Sequence, residues 1–303
     1  MIKLIFNGFF RSGTTLMWKI MHESNKDMYV FCEPLHNELF KSIYKENIQG
    51  QCSHGYSTTS EYLKHGEKFL KHLKKFHPII GNNVYAYKAD EVIKYIKIFD
   101  ELDKPVILQP NRMHFVLSDI VHHFNCKAVH IVRHPMDVFL SFMFSSPKSK
   151  YFRKLSGMNP YFFRLIRNRN PFFLDEQSKF VSRYFGVLQN PMPAPYKYFY
   201  VKKYYSERFL LCWTISNWCA VNEIDEVGGL IVRYEDIVSK NNTLQSIARY
   251  SGVRFDSSKI KIYKQSVAKY KKSDMYFCFN LAEQLGIKKE FCYLIERFNY
   301  SSF

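Results

Sequence analysis

The chain has 303 residues, 47% of them hydrophobic and 17% aromatic, and carries a net charge of +17 from 44 Lys and Arg against 27 Asp and Glu. That length buries a sizeable core, as one large domain or one domain with an elaborate cap, and no stretch approaches the ~18 apolar residues of a membrane span. A chain this basic attracts polyanions, anionic membranes or anionic small ligands, although lysines set among Asn, Ile, Tyr and Phe also follow from codon bias in an AT-rich genome.

The N-terminus, MIKLIFNGFF, reads as a first strand over 2–7 and not as a signal peptide, because its short apolar run feeds straight into a Gly-Thr turn. Further strands are predicted at 28–32, 83–88, 105–109, 127–133 and 229–234. Helices are predicted near 14–24, 34–48, 91–101, 112–124, 135–145 and 206–222. Apolar runs without alternation predict strands buried on both faces. Strands alternating with helices predict an α/β fold, a parallel sheet flanked by crossover helices. Ligands of such sheets sit beyond the carboxyl ends of the strands. Residues 146–205, rich in Pro, aromatics and Lys/Arg, break the rhythm and read as a helical or loop insertion capping the ligand end. The tail, 257–303, reads as two helices after a lysine-rich loop, and 1–303 as a single domain. The seven cysteines are scattered, with no C-x-x-C pair, and their odd number fits reduced thiols and a cytoplasmic protein. Cys126 and His130 lie four apart but read as the entry to a strand, so no metal site is predicted.

Gly8-Phe-Phe-Arg-Ser-Gly13-Thr14-Thr15 fits the phosphate-loop pattern G-x-x-x-x-G-K-[ST] except that Thr14 replaces the lysine. The glycine lets backbone N–H groups converge on an anion, the helix N-terminus adds its dipole, and Thr14 and Thr15 add hydroxyls. Arg11 adds a fixed guanidinium fork. An ordinary capped strand–helix turn is the competing reading, since Ser and Thr are good N-caps. The missing lysine argues against ATP or GTP hydrolysis. So does Arg133, at the end of the strand AVHIVR, where such enzymes often place an acid. Pro135 suits the first turn of the next helix and Asp137 complements its positive end. Ser141 lies about two turns along that helix, either meeting a ligand or simply allowing close helix packing.

RSGTT after the first strand, with IVRHPMDVFLS later, resembles the sulfotransferase family, a P-loop-like fold that takes a sulfuryl group from 3′-phosphoadenosine 5′-phosphosulfate (PAPS). The resemblance spans 4–15, 105–145 and 228–252, and more weakly the tail LIERFNY. It implies that Arg11, Ser12, Gly13, Thr14 and Thr15 hold the donor's 5′-phosphosulfate and that Arg133 and Ser141 read its 3′-phosphate. It implies no required metal, and a mainly structural role for Tyr234-Glu235-Asp236. Arg11, rather than Lys, beside the bridging oxygen resembles carbohydrate sulfotransferases more than cytosolic aryl ones.

Sulfuryl transfer needs a base for the acceptor proton and positive charge on the leaving oxygens. Glu33 in VFCEPLHNEL is predicted to end the second strand, with Pro34 starting a helix. That Glu-Pro-Leu resembles carbohydrate and bacterial sulfotransferases whose base is the Glu; an acid on the helix dipole is the competing reading. His36 is the second candidate. Relatives that use a histidine base carry it after the strand that here ends LQPNRMH, where Gln109 and Asn111 stand at the tip and His114 is predicted already helical. Arg112 is a candidate for the lysine many relatives carry near Gln109. The acceptor implied is a hydroxyl, on a carbohydrate or glycolipid. The 146–205 segment reads equally as an acceptor lid, a peripheral membrane patch or a solvated loop, and no nucleic-acid module accompanies it. The alternatives are an ATP-Mg phosphotransferase and a basic non-catalytic protein binding nucleotide or nucleic acid.

Overall fold

The computed structural model describes residues 1–49, 57–77, 85–86, 88–143, 205–239, 241–256, 258 and 272–300. These fall into two compact units, Met1–Val132 with Ala220–Lys264, and Arg133–Cys219 with Gln265–Phe303. Apart from Tyr205, the 146–205 insertion lies outside the described residues.

The first unit carries the sheet. Its strands are β1 (Ile2–Gly8), β2 (Tyr29–Cys32), β3 (Val106–Gln109), β4 (Lys127–Val132) and β5 (Leu230–Arg233), in the order β2-β3-β1-β4-β5, every pair parallel. The α/β parallel architecture expected from the sequence is therefore observed. The strands lack apolar–polar alternation because both faces are buried. On one face Ile5, Phe31, Leu108 and Ala128 join a cluster with Tyr62, Leu73, Tyr95, Phe99 and Ile120. On the other, Leu4, Phe6, Val30, Ile107, Val129 and Ile131 join Met17, Trp18, Met21 and Ile247. Each fully buried Leu, Ile, Val or Phe contributes about 1.5–3 kcal/mol, so successive residues of one strand stabilise opposite layers.

The helices of this unit are α1 (Thr14–Ser24), α2 (Leu39–Gln49), α3 (Ser60–Lys64), α4 (Gly66–Phe76), α5 (Ala89–Asp100) and α6 (Leu117–Phe124), and, after β5, α9 (Tyr234–Ser239) and α10 (Asn241–Ser251). Trp18 of α1 donates its indole N–H to the Val30 carbonyl at 3.1 Å, tying the helix to β2. The second unit holds α7 (Pro135–Met143), α11 (Lys272–Gln284) and α12 (Lys288–Arg297), the two tail helices expected. The helix α8 (Tyr205–Glu226) contributes residues to both units.

Several expectations need correcting. The strand predicted at 83–88 is not formed at the described residues 85, 86 and 88; Ala86 instead donates one backbone bond to the Arg112 carbonyl at 2.9 Å. The run ending at Val132 is thus the fourth strand among the described residues, and Arg133 follows it rather than closing it. Pro34 does not start a helix, since α2 begins at Leu39, and His114 is not helical, since α6 begins at Leu117. Cys126 is buried just before β4, and burial pushes its thiol up to about 12. His130 is engaged with Asn7 at 3.1 Å. Among the described residues no group of three or more His, Cys, Asp or Glu is placed to hold a metal ion, and no helix is long and apolar enough to cross a membrane.

Candidate active site

The loop between β1 and α1 is shaped by two glycines. A Cβ on Gly8 would lie 2.3 Å from Ile131 Cγ2 and 2.6 Å from Thr14 Cγ2. Gly13 is the N-cap of α1 at φ 94, ψ 8, and brings no side-chain acceptor to the helix. The Ser12 N–H turns back to the Phe9 carbonyl at 3.1 Å, and the first intrahelical bond runs from Met17 N–H to the Gly13 carbonyl at 3.1 Å. The amides of Thr14, Thr15 and Leu16 therefore stand at an end that no side chain caps, in a first turn without acidic residues. The reading of Ser or Thr as an ordinary cap fails here, because glycine occupies the cap. The Ser12 hydroxyl is buried and meets no hydrogen-bond partner among the described residues. Leaving such a group unpaired costs about 1–3 kcal/mol. An anion seated on the helix N-terminus would satisfy both the amides and the hydroxyl, so these residues fit a phosphate-like group.

Tyr234 explains part of the Tyr-Glu-Asp motif. Its ring lies against Gly13, where an added Cβ would come within 2.3 Å of Cδ2. Gly13→Ala should therefore destabilise the protein by at least about 2 kcal/mol, from left-handed strain and overpacking together. Adding Tyr234→Ala should recover part of the loss, the part due to the clash. Thermal melts of the two variants check this, and equal melting temperatures would count against the ring contact.

Glu33 leaves β2 at φ 46. Its N–H donates to the Gln109 carbonyl at 2.7 Å, and its carbonyl accepts from His36 N–H at 2.9 Å. The carboxylate is about a quarter exposed, 27%, and its Oε1 accepts from Asn111 Nδ2 at 2.9 Å. His36 Nε2 lies 3.8 Å from Oε2. His36 Nδ1 accepts the Glu38 N–H at 3.0 Å, which in the neutral ring puts the proton on Nε2, facing the carboxylate. Burial lowers the His36 pKa; Glu33 opposes that fall and Arg112 adds to it. Glu33 is not the acid of a first helical turn, since α2 starts six residues later.

Two arginines share the field of this carboxylate. Burial pulls the Arg11 pKa down and Glu33 pushes it back. Burial does the same to Arg112, opposed by Glu33 and Tyr85. Both guanidinium groups remain charged at any ordinary pH. Arg112 is buried, with its guanidinium 5.2 Å from the Phe10 ring centre. Gln109, also buried, accepts the Cys32 thiol at 3.3 Å.

Backbone strain marks the same place. Among the described residues five non-glycine residues have positive φ, and three of them are Arg11 (62°), Glu33 (46°) and Asn111 (56°). They follow β1, β2 and β3, neighbours in the sheet, each just past the carboxyl end. Asn tolerates this region, but Arg and Glu there cost about 1–3 kcal/mol each. Such strain persists where the surroundings enforce it, and it clusters at functional sites.

In the second unit, Arg133 is buried and its carbonyl accepts the Trp213 indole N–H at 3.1 Å. Ser141 lies half-buried on α7. His134 accepts the Met136 N–H at 3.2 Å and stacks edge-on against Tyr300 at 5.0 Å. Sequence reasoning missed the contact of Tyr234 with Gly13. It also missed that Asn111 holds Glu33; the one available signal was an Asn two residues past a strand end.

No protein-family model matches this chain. An uncharacterized protein of Archaeoglobus fulgidus is 28% identical over 308 residues, covering 95% of both chains. A solved sulfotransferase from Alicyclobacillus acidocaldarius aligns over 95% of this chain and 94% of its own, at 10% identity and a TM-score of 0.41, a likeness too distant to bear on function.

Proposed function

We propose that this protein is a PAPS-dependent sulfotransferase acting on a hydroxyl of a carbohydrate or glycolipid, in the cytoplasm and without a required metal or nucleic-acid partner. The observation that carries the reading is Glu33, strained at the edge of the sheet, held through one oxygen by Asn111 and flanked electrostatically by Arg11 and Arg112. Glu33 Oε2, the oxygen Asn111 leaves open, takes the proton from the acceptor hydroxyl. The α1 amides with Ser12, Thr14 and Thr15 hold the 5′-phosphosulfate, Ser12 supplying the hydroxyl that meets no partner among the described residues. Arg11 meets the charge that develops on the leaving phosphate oxygen, and Arg112 stands in for the lysine many relatives carry. The donor supplies the sulfuryl group and its phosphate leaving group. The motif resemblance gives the 3′-phosphate to Arg133 and Ser141. The 146–205 segment, with any role in acceptor choice or membrane contact, lies outside the described residues apart from Tyr205.

The 3′-phosphate decides between this reading and an ATP-Mg phosphotransferase. A charge-assisted bond from Arg133 contributes roughly 1.5–3 kcal/mol, about one to two decades of affinity. Titration calorimetry in EDTA should show 3′-phosphoadenosine 5′-phosphate binding at least tenfold more tightly than AMP. Arg133→Ala should erase most of that gap and Ser141→Ala less of it. ATP binding tightly only with Mg²⁺, and indifference to the 3′-phosphate, would defeat the proposal.

A further inference from the structure

β2 is an edge strand and Pro34 lies beyond it, so the Cys32 and Pro34 carbonyls need donors from outside the sheet, while the Glu33 N–H still donates to the Gln109 carbonyl at 2.7 Å. The last rung pairs Cys32 with Gln109. The Cys32 carbonyl accepts the Tyr62 hydroxyl of α3 at 2.8 Å. The Pro34 carbonyl accepts two donors, the Tyr95 hydroxyl of α5 at 2.8 Å and His77 Nε2–H, just past α4, at 3.2 Å. Tyr62 and Tyr95 are wholly buried in one apolar cluster. A phenylalanine would fill such positions equally well, and a buried hydroxyl is costly unless bonded. Here both hydroxyls are spent on the two carbonyls that bracket Glu33. His77 is wedged edge-on between Tyr95 at 5.2 Å and Phe40 at 5.4 Å, which fixes its ring. Burial raises both phenols far above their ordinary range and lowers His77 to about 4, so all three stand as neutral donors near neutral pH.

We infer that Tyr62, Tyr95 and His77 are positioning residues: they clamp the peptide units before and after Glu33, hold its backbone in the left-handed region, and so fix the carboxylate against Asn111. The functional half of this inference rests on Glu33 being the base proposed above; the structural half does not. A residue at positive φ relaxes toward the ordinary regions once its neighbours stop enforcing it. Small misplacement of a reacting group is expensive, with about 1 Å costing up to about 100-fold in rate.

The test uses the full chain with Tyr95→Phe, His77→Phe and the two together, which keep ring shapes and delete donors. In the double variant, crystallography should show Glu33 at negative φ and its bond to Asn111 lost. Turnover should fall roughly 10- to 100-fold with the KM for donor unchanged, and Tyr95→Phe alone should lose less, because His77 still serves Pro34. His77→Gln, which keeps an N–H donor, should restore part of the rate in the Tyr95→Phe background. In a Glu33→Gln background the double variant should cost nothing more, because the clamp acts only through Glu33. Glu33 remaining at positive φ in the double variant overturns the clamp. So does unchanged turnover in a protein whose Glu33→Gln variant is dead. If the wild type transfers no sulfuryl group, the proposed function fails, and the crystal structure of the double variant still decides the clamp.

Discussion

Glu33→Gln should lower turnover on the order of 100-fold or more, while binding of 3′-phosphoadenosine 5′-phosphate stays equal or becomes tighter. The two halves come from the same atoms. Gln keeps an acceptor oxygen for Asn111 Nδ2, now 2.9 Å from Oε1, so shape survives the change. What is lost is the basic oxygen that the proposed mechanism turns toward the acceptor. Also lost is the negative charge that offsets the burial of Arg11 and Arg112. Two cations without that carboxylate attract an anionic nucleotide at least as well as before, and their burial becomes less favourable. The variant should therefore melt somewhat lower when free and gain more from added nucleotide. Initial rates with labelled donor over a panel of glycan and glycolipid acceptors, beside melts with and without nucleotide, read all of these. Near wild-type turnover in Glu33→Gln, with a dead His36→Ala or His114→Ala, would move the base elsewhere. His36 starts at a disadvantage, since its Nδ1 is occupied by the Glu38 N–H and its Nε2 carries the proton.

The edges of this site were legible where one physical cause ruled. The run Ile2–Phe6, apolar but for Lys3, reads as a strand buried on both faces, and Gly8 with Gly13 as a close turn, so β1, the loop and α1 read directly from the residues. Residues 34–38 were misread because Pro34 suits a first helical turn. Glu33 at φ 46 and the turn bonds His36 N–H to the Glu33 carbonyl and Glu38 N–H to His36 Nδ1 use up that stretch and postpone the helix to Leu39. The strand expected at 83–88 was read from the β-like residues of NVYAYK. Tyr85 and Ala86 are buried, but as wall and not as ladder. α4 escaped notice because charged residues interrupt GEKFLKHLKKF, yet Phe69, Leu70 and Leu73 make one apolar face. The clamp on Glu33 and the ring on Gly13 could not be read at all. Tyr62, His77 and Tyr95 stand 30, 43 and 61 residues from the carbonyls they serve, and nothing local distinguishes a buried tyrosine that donates from one that only packs.

Arg11→Ala should cost turnover on the order of 100-fold and donor affinity much less. In the proposed mechanism the guanidinium meets charge that grows as the sulfur–oxygen bond breaks, so its effect would belong to the transition state more than to the bound donor. The backbone supplies an internal control. Arg11 sits at φ 62, where any side chain with a Cβ is strained. Alanine removes the charge and keeps the strain. Arg11→Gly removes both, so it should lose the same rate as Arg11→Ala while melting no lower than it, the relief of about 1–2 kcal/mol being partly offset by the freedom glycine gains when unfolded. Arg11→Lys keeps a charge without the fork and should fall between alanine and the wild type. If rate loss instead followed stability, with glycine recovering activity, Arg11 would be a loop-shaping residue. If donor affinity fell with turnover unchanged, its charge would serve ground-state binding. Rate loss shared by alanine and glycine and softened by lysine is the pattern expected of a cation on the leaving oxygen, because the variants that fail share the loss of the cationic side chain and not the backbone strain, which alanine keeps and glycine removes.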